Sequence, residues 1–196
     1  MNRFHRRICS SAGWSDFVAG TVLPRALDGL ALGPRVLELG PGYGATTRPL
    51  AAMTESLTAL ESDPALAARL RGELGDSVTV MNGDATRIGL RPGTFSAVVC
   101  FTMLHHLPSA AAQDRLFAEA ARVLRPGGLF AGTDSRTSLR FRLVHLGDIC
   151  TPVDPGTLPA RLASAGFTRI RVDADPRTLR FAAYTPSKGT EHDRAA

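Results

Sequence analysis

The 196-residue chain has no apolar run approaching the roughly 20 residues that cross a bilayer, so no transmembrane segment is expected. Arg3, Arg6 and Arg7 are followed by no apolar stretch, which argues against a secretory signal. An arginine-rich, acid-free start can mimic an organelle transit peptide, but the residues after it read as part of the fold. The cytoplasm is the default expectation. Cysteine is scarce: Cys9, Cys100 and Cys150 are an odd, widely spaced set without a C-x-x-C pair. That argues against a disulfide framework and a structural zinc site. Lysine is nearly absent, Lys188 being the single one, so the net charge of +5 and the isoelectric point near 9.8 are carried by arginine. The arginines are scattered among acids rather than gathered in one block, and no nucleic-acid partner is expected from them. The sequence carries no signature of oligomeric state.

What remains is an ordinary globular composition, 44% hydrophobic and 21% charged, on a chain long enough for one domain with a full core. Short apolar runs alternate with amphipathic stretches. Strands are expected over Arg35–Leu39, Leu57–Leu60, Val78–Met81, Phe95–Cys100, Leu129–Thr133, Thr168–Val172 and Leu179–Tyr184. Several are apolar throughout, as strands covered on both faces should be. Helices are expected over Ala65–Leu74, with Pro64 at its start and Gly75 as its stop, over Ser109–Leu124 and over Thr157–Ala165. Arg125-Pro126-Gly127-Gly128 reads as the turn that ends the second of these. Alternating strands and helices predict an α/β fold with a parallel sheet wound on both faces. The last two strands follow each other without a helix between them, so at least one pairing there should be antiparallel. The polar stretch Thr185–Ala196 reads as a disordered tail.

The sharpest local signal is Glu38-Leu39-Gly40-Pro41-Gly42-Tyr43-Gly44, an apolar strand running through a glycine-rich turn into a helix. Gly40 and Gly42 remove side chains where a backbone must approach a ligand, and the helix start offers free N–H groups. Glu61, at the end of the next strand and 21 residues after Gly40, stands where an acid holds a ribose hydroxyl pair. Gly40-x-Gly42-x-x-Ala45 also satisfies the dinucleotide fingerprint, so this turn alone leaves a nicotinamide or flavin enzyme open.

Further segments point one way. The glycine turn resembles motif I of the class I S-adenosylmethionine-dependent methyltransferases, and Leu57–Pro64 resembles motif II. Asn82-Gly83-Asp84-Ala85 is similar to the element after the third strand, Phe95–Leu107 (FSAVVCFTMLHHL) to the fourth-strand segment, and Ala120–Gly128 (AARVLRPGG) to the turn into the fifth strand. The resemblance covers residues 33–184 and is closest to the small-molecule branch typified by ubiquinone and menaquinone biosynthesis. Ser96 departs from it, standing where the family usually has a structural aspartate.

The resemblance implies a Rossmann-like three-layer sandwich with a mostly parallel seven-stranded sheet and an antiparallel last strand. It implies a domain over 33–184, preceded by a helical lid segment over 1–32 and followed by the tail 185–196. The cofactor would be S-adenosyl-L-methionine, held by Glu38 at the methionine end, Gly40 and Gly42 at the backbone, Glu61 and Ser62 at the ribose, Asp84 and Ala85 at the adenine, and Phe101 near the reaction site. Methyl transfer would be an in-line displacement to an O, N or C nucleophile of a small acceptor, a hydrophobic one among the candidates, with no metal.

His105 and His106 are candidate general bases, since imidazole titrates near working pH. The bland alternative, which the sequence favours, is that one or both pack the loop or cap the following helix. Trp14, Arg140 and His145 are candidates for the acceptor pocket. Trp14 lies in the leading segment, which serves as a lid or packs on the sheet edge. Asp134–Gly156 is too long for an ordinary connection, and its Leu139, Leu143 and Leu146 lie at helical spacing among Arg136, Arg140 and Arg142. Two other classes stay open, an NAD(P)-dependent oxidoreductase and a non-catalytic S-adenosylmethionine-binding protein. The first would need a hydride-transfer constellation such as Tyr-x-x-x-Lys, which is missing.

Overall fold

The computed structural model describes residues 2–187, apart from the Arg140 side chain. Its seven strands are β1 (Arg35–Leu39), β2 (Ser56–Glu61), β3 (Thr79–Asn82), β4 (Phe95–Phe101), β5 (Leu124–Ser135), β6 (Thr168–Ala174) and β7 (Thr178–Tyr184). They form one sheet in the order β3-β2-β1-β4-β5-β7-β6. The first five pair in parallel, and β7 runs antiparallel to both β5 and β6. This is the Rossmann-like sandwich expected, and each expected strand lies at its place to within a few residues.

Alternation along the strands divides the core in two. Val98 and Cys100 of β4 join Leu37, Leu39 and Phe130 on one face, while Ala97, Val99 and Phe101 join Val36, Leu129 and Ala131 on the other. The first face is covered by α6 (Ala110–Val123) through Leu116, Phe117 and Ala120, and by α8 (Leu158–Ser164) through Leu158 and Leu162. The second is covered by α3 (Leu23–Leu27), by Leu50 of α4 (Thr47–Ala51) and by α5 (Pro64–Leu74) through Ala67 and Leu70. All seven residues of β4 are buried, which is why this strand is apolar except at Ser96. At the centre of the first core the Phe130 ring meets Phe117, Phe167 and Phe181 at centroid separations of 5.9, 5.3 and 5.0 Å.

Local chemistry sets the helix starts. The Asp63 carboxylate accepts from the N–H groups of Ala65 and Leu66 at 2.8 and 3.2 Å ahead of Pro64, and Gly75 ends the helix with a φ of +54°. Ser109 caps α6, and Ser138 caps α7 (Leu139–Val144). The leading segment forms α1 (Arg3–Cys9) and α2 (Ala12–Phe17), then a π-helical turn over Val18–Val22 that runs into α3.

Three expectations are adjusted. Arg125–Gly128 forms the irregular start of β5 rather than a free turn, because Leu124 already pairs with Phe95 across a register shift. The same stretch docks the beginning of the expected tail. The Thr185 hydroxyl donates to the Arg125 carbonyl at 2.7 Å and accepts from the Gly128 N–H at 2.9 Å, and Thr185 is buried. Residues 188–196 of that tail lie outside the described residues. Finally, Leu139, Leu143 and Leu146 are 78, 62 and 76% exposed, and it is Phe141 and His145 that α7 and its C-terminal end turn inward. Two of those leucines therefore sit on the outer face of a short helix.

Ser96 has a clear local role. Its hydroxyl donates to the Arg35 carbonyl at 2.7 Å and accepts from the Arg35 N–H at 3.0 Å, tying the starts of β1 and β4 together.

Candidate functional site

The strand order reverses at β1, which has β2 on one side and β4 on the other. Ligands of open α/β sheets bind beyond the carboxyl ends of strands at such a point. A cavity of about 360 Å³ lies there, bordered by Gly40-Pro41-Gly42 after β1, Glu61 and Ser62 at the end of β2, and Phe101, Thr102 and Met103 at the end of β4. Arg6, Cys9, Trp14 and Val18 of the leading segment also border it.

The glycines are where the backbone requires them. Gly40 and Gly42 have φ of +68° and +56°, the left-handed region that side chains strain to adopt. A Cβ on Gly40 would press on the Met103 side chain at 3.0–3.2 Å, whereas one on Gly42 would meet nothing within 4 Å. Gly42 thus offers bare backbone to the cavity. Thr102 has a φ of +51° without the freedom of glycine, a strained conformation at the end of β4 that its N–H, donating to the Thr133 carbonyl at 2.8 Å, helps to hold.

Glu61 is buried, and its carboxylate accepts from the Gly42 N–H at 2.9 Å and from the Asp63 N–H at 2.9 Å. Asn82 braces this corner by donating from its side chain to the carbonyls of Glu61 and Ser62 at 2.8 and 3.1 Å. Glu38 lies below the glycine turn. One carboxylate oxygen accepts from the Thr46 hydroxyl, and the other is buried without a hydrogen-bond partner among the described residues, as is the Thr47 hydroxyl. Burial pushes the Glu38 carboxyl up to about 7 against the opposing Thr46 hydroxyl, with nearby Glu61 adding to the rise. Glu38 is not among the residues that border the cavity and meets it only through Thr46, which is.

Asp84 and Ala85 do not line this cavity. They follow the edge strand β3, where Asp84 is exposed and accepts from the Thr86 N–H at 2.8 Å, while Ala85 packs in the core.

The two histidines behave differently. His106 lines the cavity. Burial pushes it down to about 3, with the neighbouring imidazoles of His105, His5 and His145 contributing, so it stays neutral and only weakly basic. His105 does not line the cavity and is buried. Its backbone N–H donates to Asp134 at 3.0 Å, its Nδ1 makes a close contact with the same carboxylate, and its Nε2 lies 3.1 Å from Nε2 of His145. His145 is likewise buried away from the cavity wall, and the Arg140 side chain lies outside the described residues.

Sequence reasoning missed Arg6, Cys9, Thr46, Asp63, Asp148 and Ile149, all of which border the cavity. No local motif marks the first two or the last two, because they arrive through long-range docking. The Asn2 side chain donates to the carbonyls of Val144 and Leu146 at 2.8 and 3.1 Å, and His5 Nδ1 lies 2.9 Å from Asp148.

With this geometry the chain matches the methyltransferase domain family over residues 37–132. The ubiquinone biosynthesis O-methyltransferase of Xanthomonas oryzae pv. oryzae is 36% identical over 121 residues, covering 59% of this chain and 49% of that protein. Residues 37–132 are a methyltransferase domain of the class I S-adenosylmethionine-dependent kind. A second methyltransferase relative, the ribosomal RNA small subunit methyltransferase A of Bordetella pertussis, is 35% identical over 170 residues, covering 74% of this chain and 62% of that protein. The chain thus spans about half to three-fifths of the length of these relatives. Solved structures share the methyltransferase fold. The phosphoethanolamine N-methyltransferase 2 of Haemonchus contortus, in complex with S-adenosylhomocysteine, has a TM-score of 0.69 at 18% identity, over 94% of this chain and 57% of that one. The [4+2]-cyclase SpnF has a TM-score of 0.63 at 20% identity, over 88% of this chain and 80% of that one. S-adenosylmethionine is the cofactor of this class.

Proposed function

We propose that this chain transfers the methyl group of S-adenosylmethionine to a small organic acceptor held beneath α1 and α2. One observation carries the reading: a single cavity joins the glycine turn and Glu61 on one wall to Cys9, Trp14 and Val18 on the other, with Thr102, Met103 and His106 between them. The bound cofactor supplies a methyl group on a sulfonium leaving group. The chain contributes position and exclusion of water. Glu61 exchanges its Gly42 and Asp63 contacts for the ribose hydroxyls, Ser62 flanks it, and Glu38 with Thr46 balances the methionine end. Asp84 and Ala85 take the adenine beyond the cavity rim. Trp14, Val18, Met103 and Ile149 offer an apolar bed for the acceptor, and the leading segment over 1–32 serves as the lid. The neutral His106 ring orients the acceptor by a hydrogen bond, whereas His105 acts from behind by fixing the loop through Asp134.

The charges at the cavity favour a small acceptor over nucleic acid. Glu61, Asp63 and Asp148 border it, and its one arginine, Arg6, reaches Asp63 at 4.0 Å. Phosphate tracks call for the opposite sign. A second reading, methyl transfer to RNA, draws on the ribosomal RNA relative and on a separate cavity of about 320 Å³ at the β6–β7 edge, lined by Arg169, Arg171 and Arg180.

The test is transfer of tritiated methyl from S-adenosylmethionine to a panel of phenols, catechols, amines and total RNA. Label in the organic extract is expected. Label confined to RNA would transfer the proposal to the second reading, and no label with tight cofactor binding would make the chain a binding protein.

A further inference from the structure

Four histidines from three distant segments, His5, His105, His106 and His145, meet in one cluster beside the cavity. The His5 ring lies 4.4 Å from that of His145 and 5.2 Å from that of His106, and the last two are 5.5 Å apart, centroid to centroid. One nitrogen from each of His5, His106 and His145 lies within 4.8 Å of the other two. Polar rings gathered away from water are costly unless their nitrogens find partners.

The outward nitrogens of two rings have them. His145 Nδ1 lies 2.8 Å from the Phe141 carbonyl, which can only accept, so the proton sits on Nδ1 and the lone pair on Nε2. His5 Nδ1 faces the Asp148 carboxylate at 2.9 Å, which favours the same tautomer and leaves its Nε2 as an acceptor. An imidazole whose far nitrogen is held by a carboxylate or a carbonyl is the arrangement that orients metal-ligating histidines. The His106 ring makes no hydrogen bond among the described residues.

We propose that His5, His106 and His145 bind one divalent transition-metal ion per chain, with zinc the best match. Three neutral imidazoles suit zinc and leave a fourth position, which here lies on the side of the cavity that His106 lines and takes water. Zinc–nitrogen bonds of about 2.0–2.1 Å place tetrahedral ligand atoms about 3.3 Å apart, so the rings move inward by about an ångström. His145 then gives up its 3.1 Å contact with His105. The ion ties α1 to the turn after β4 and to the end of α7. The cysteine and acid patterns of the sequence do not announce such a site, because its ligands are single histidines about 40 to 140 residues apart.

The test uses the full chain without an affinity tag, stripped with chelator and titrated with zinc chloride by calorimetry in the absence of cofactor. One site per chain at micromolar or tighter Kd is expected, weakened at least tenfold in His106→Asn and in His5→Gln and unchanged in His192→Ala. Zinc should also slow hydrogen exchange across Arg3–Cys9. Melting curves without metal show which variants fold, and His145→Asn replaces His5→Gln if the latter does not. Binding no tighter than millimolar overturns the proposal, as does binding that survives in folded His106→Asn. Because no cofactor or acceptor is present, the outcome is independent of methyl transfer.

Discussion

The Glu61 carboxylate at the end of β2 accepts a hydrogen bond from the Gly42 backbone N–H at 2.9 Å, so the acid proposed for the ribose already sits on the glycine turn. Removing it strips the turn of a charged acceptor and the cofactor of a hydrogen-bonding partner. Glu61→Ala is expected to weaken S-adenosylhomocysteine binding by about 1.5–3 kcal/mol, measured by calorimetry on protein with an intact melting transition. Unchanged affinity would reduce Glu61 to a strut of the turn.

Glu38 gives a pH signature. Its folded carboxyl titrates at about 7 because it is buried, against 4.5 when unfolded. Between those values the unfolded chain has released a proton that the folded chain still holds, so this group's contribution to stability falls as pH rises through the window, by up to about 3 kcal/mol. Urea unfolding at pH 5 and pH 8 should show a smaller loss in Glu38→Gln than in the parent. Equal losses would mean that Glu38 is ionised in the fold.

Trp14, the chain's only tryptophan, borders the cavity and is half-buried. Its emission is expected to change saturably as S-adenosylhomocysteine is added, and to remain unaffected by NADH at equal concentration. A response to NADH alone would favour an oxidoreductase.

His105→Ala should cost about 3 kcal/mol of stability, because it removes the ring partner of the buried Asp134 carboxylate. Backbone N–H groups of His105 and Ser135 remain to satisfy that acid in part. His106→Asn, at the cavity wall, is expected to alter acceptor turnover with less than about 1 kcal/mol lost. Urea melts of the metal-free proteins check both. The reverse order would place His105 in the site.

Gly132 of β5 pairs with Cys100 of β4, and a Cβ there would collide with the Cys100 carbonyl oxygen. Gly132→Ala is expected to destabilise the fold by at least about 2 kcal/mol, since backbone must move to admit one methyl group. A thermal melt within a degree of the parent would show that the two strands can part without cost.

The sequence by itself determined the sheet and its ligand end. Runs such as Phe95–Phe101 are apolar at every position but Ser96, which fits a strand covered on both faces, and the glycines after Leu39 mark a turn whose backbone needs positive φ. These are local properties, readable because each depends on near neighbours in the chain. Only the tertiary structure decided what closes the cavity and which histidine borders it. His105 and His106 are adjacent in sequence, yet one turns to Asp134 and the other to the cavity, a choice made by contacts 29 residues away in the first case. His5 and Asp148 are 143 residues apart and carry no motif. Their meeting follows from how α1 docks on the segment after α7, and docking is fixed by shape and burial across the whole fold rather than by any local pattern.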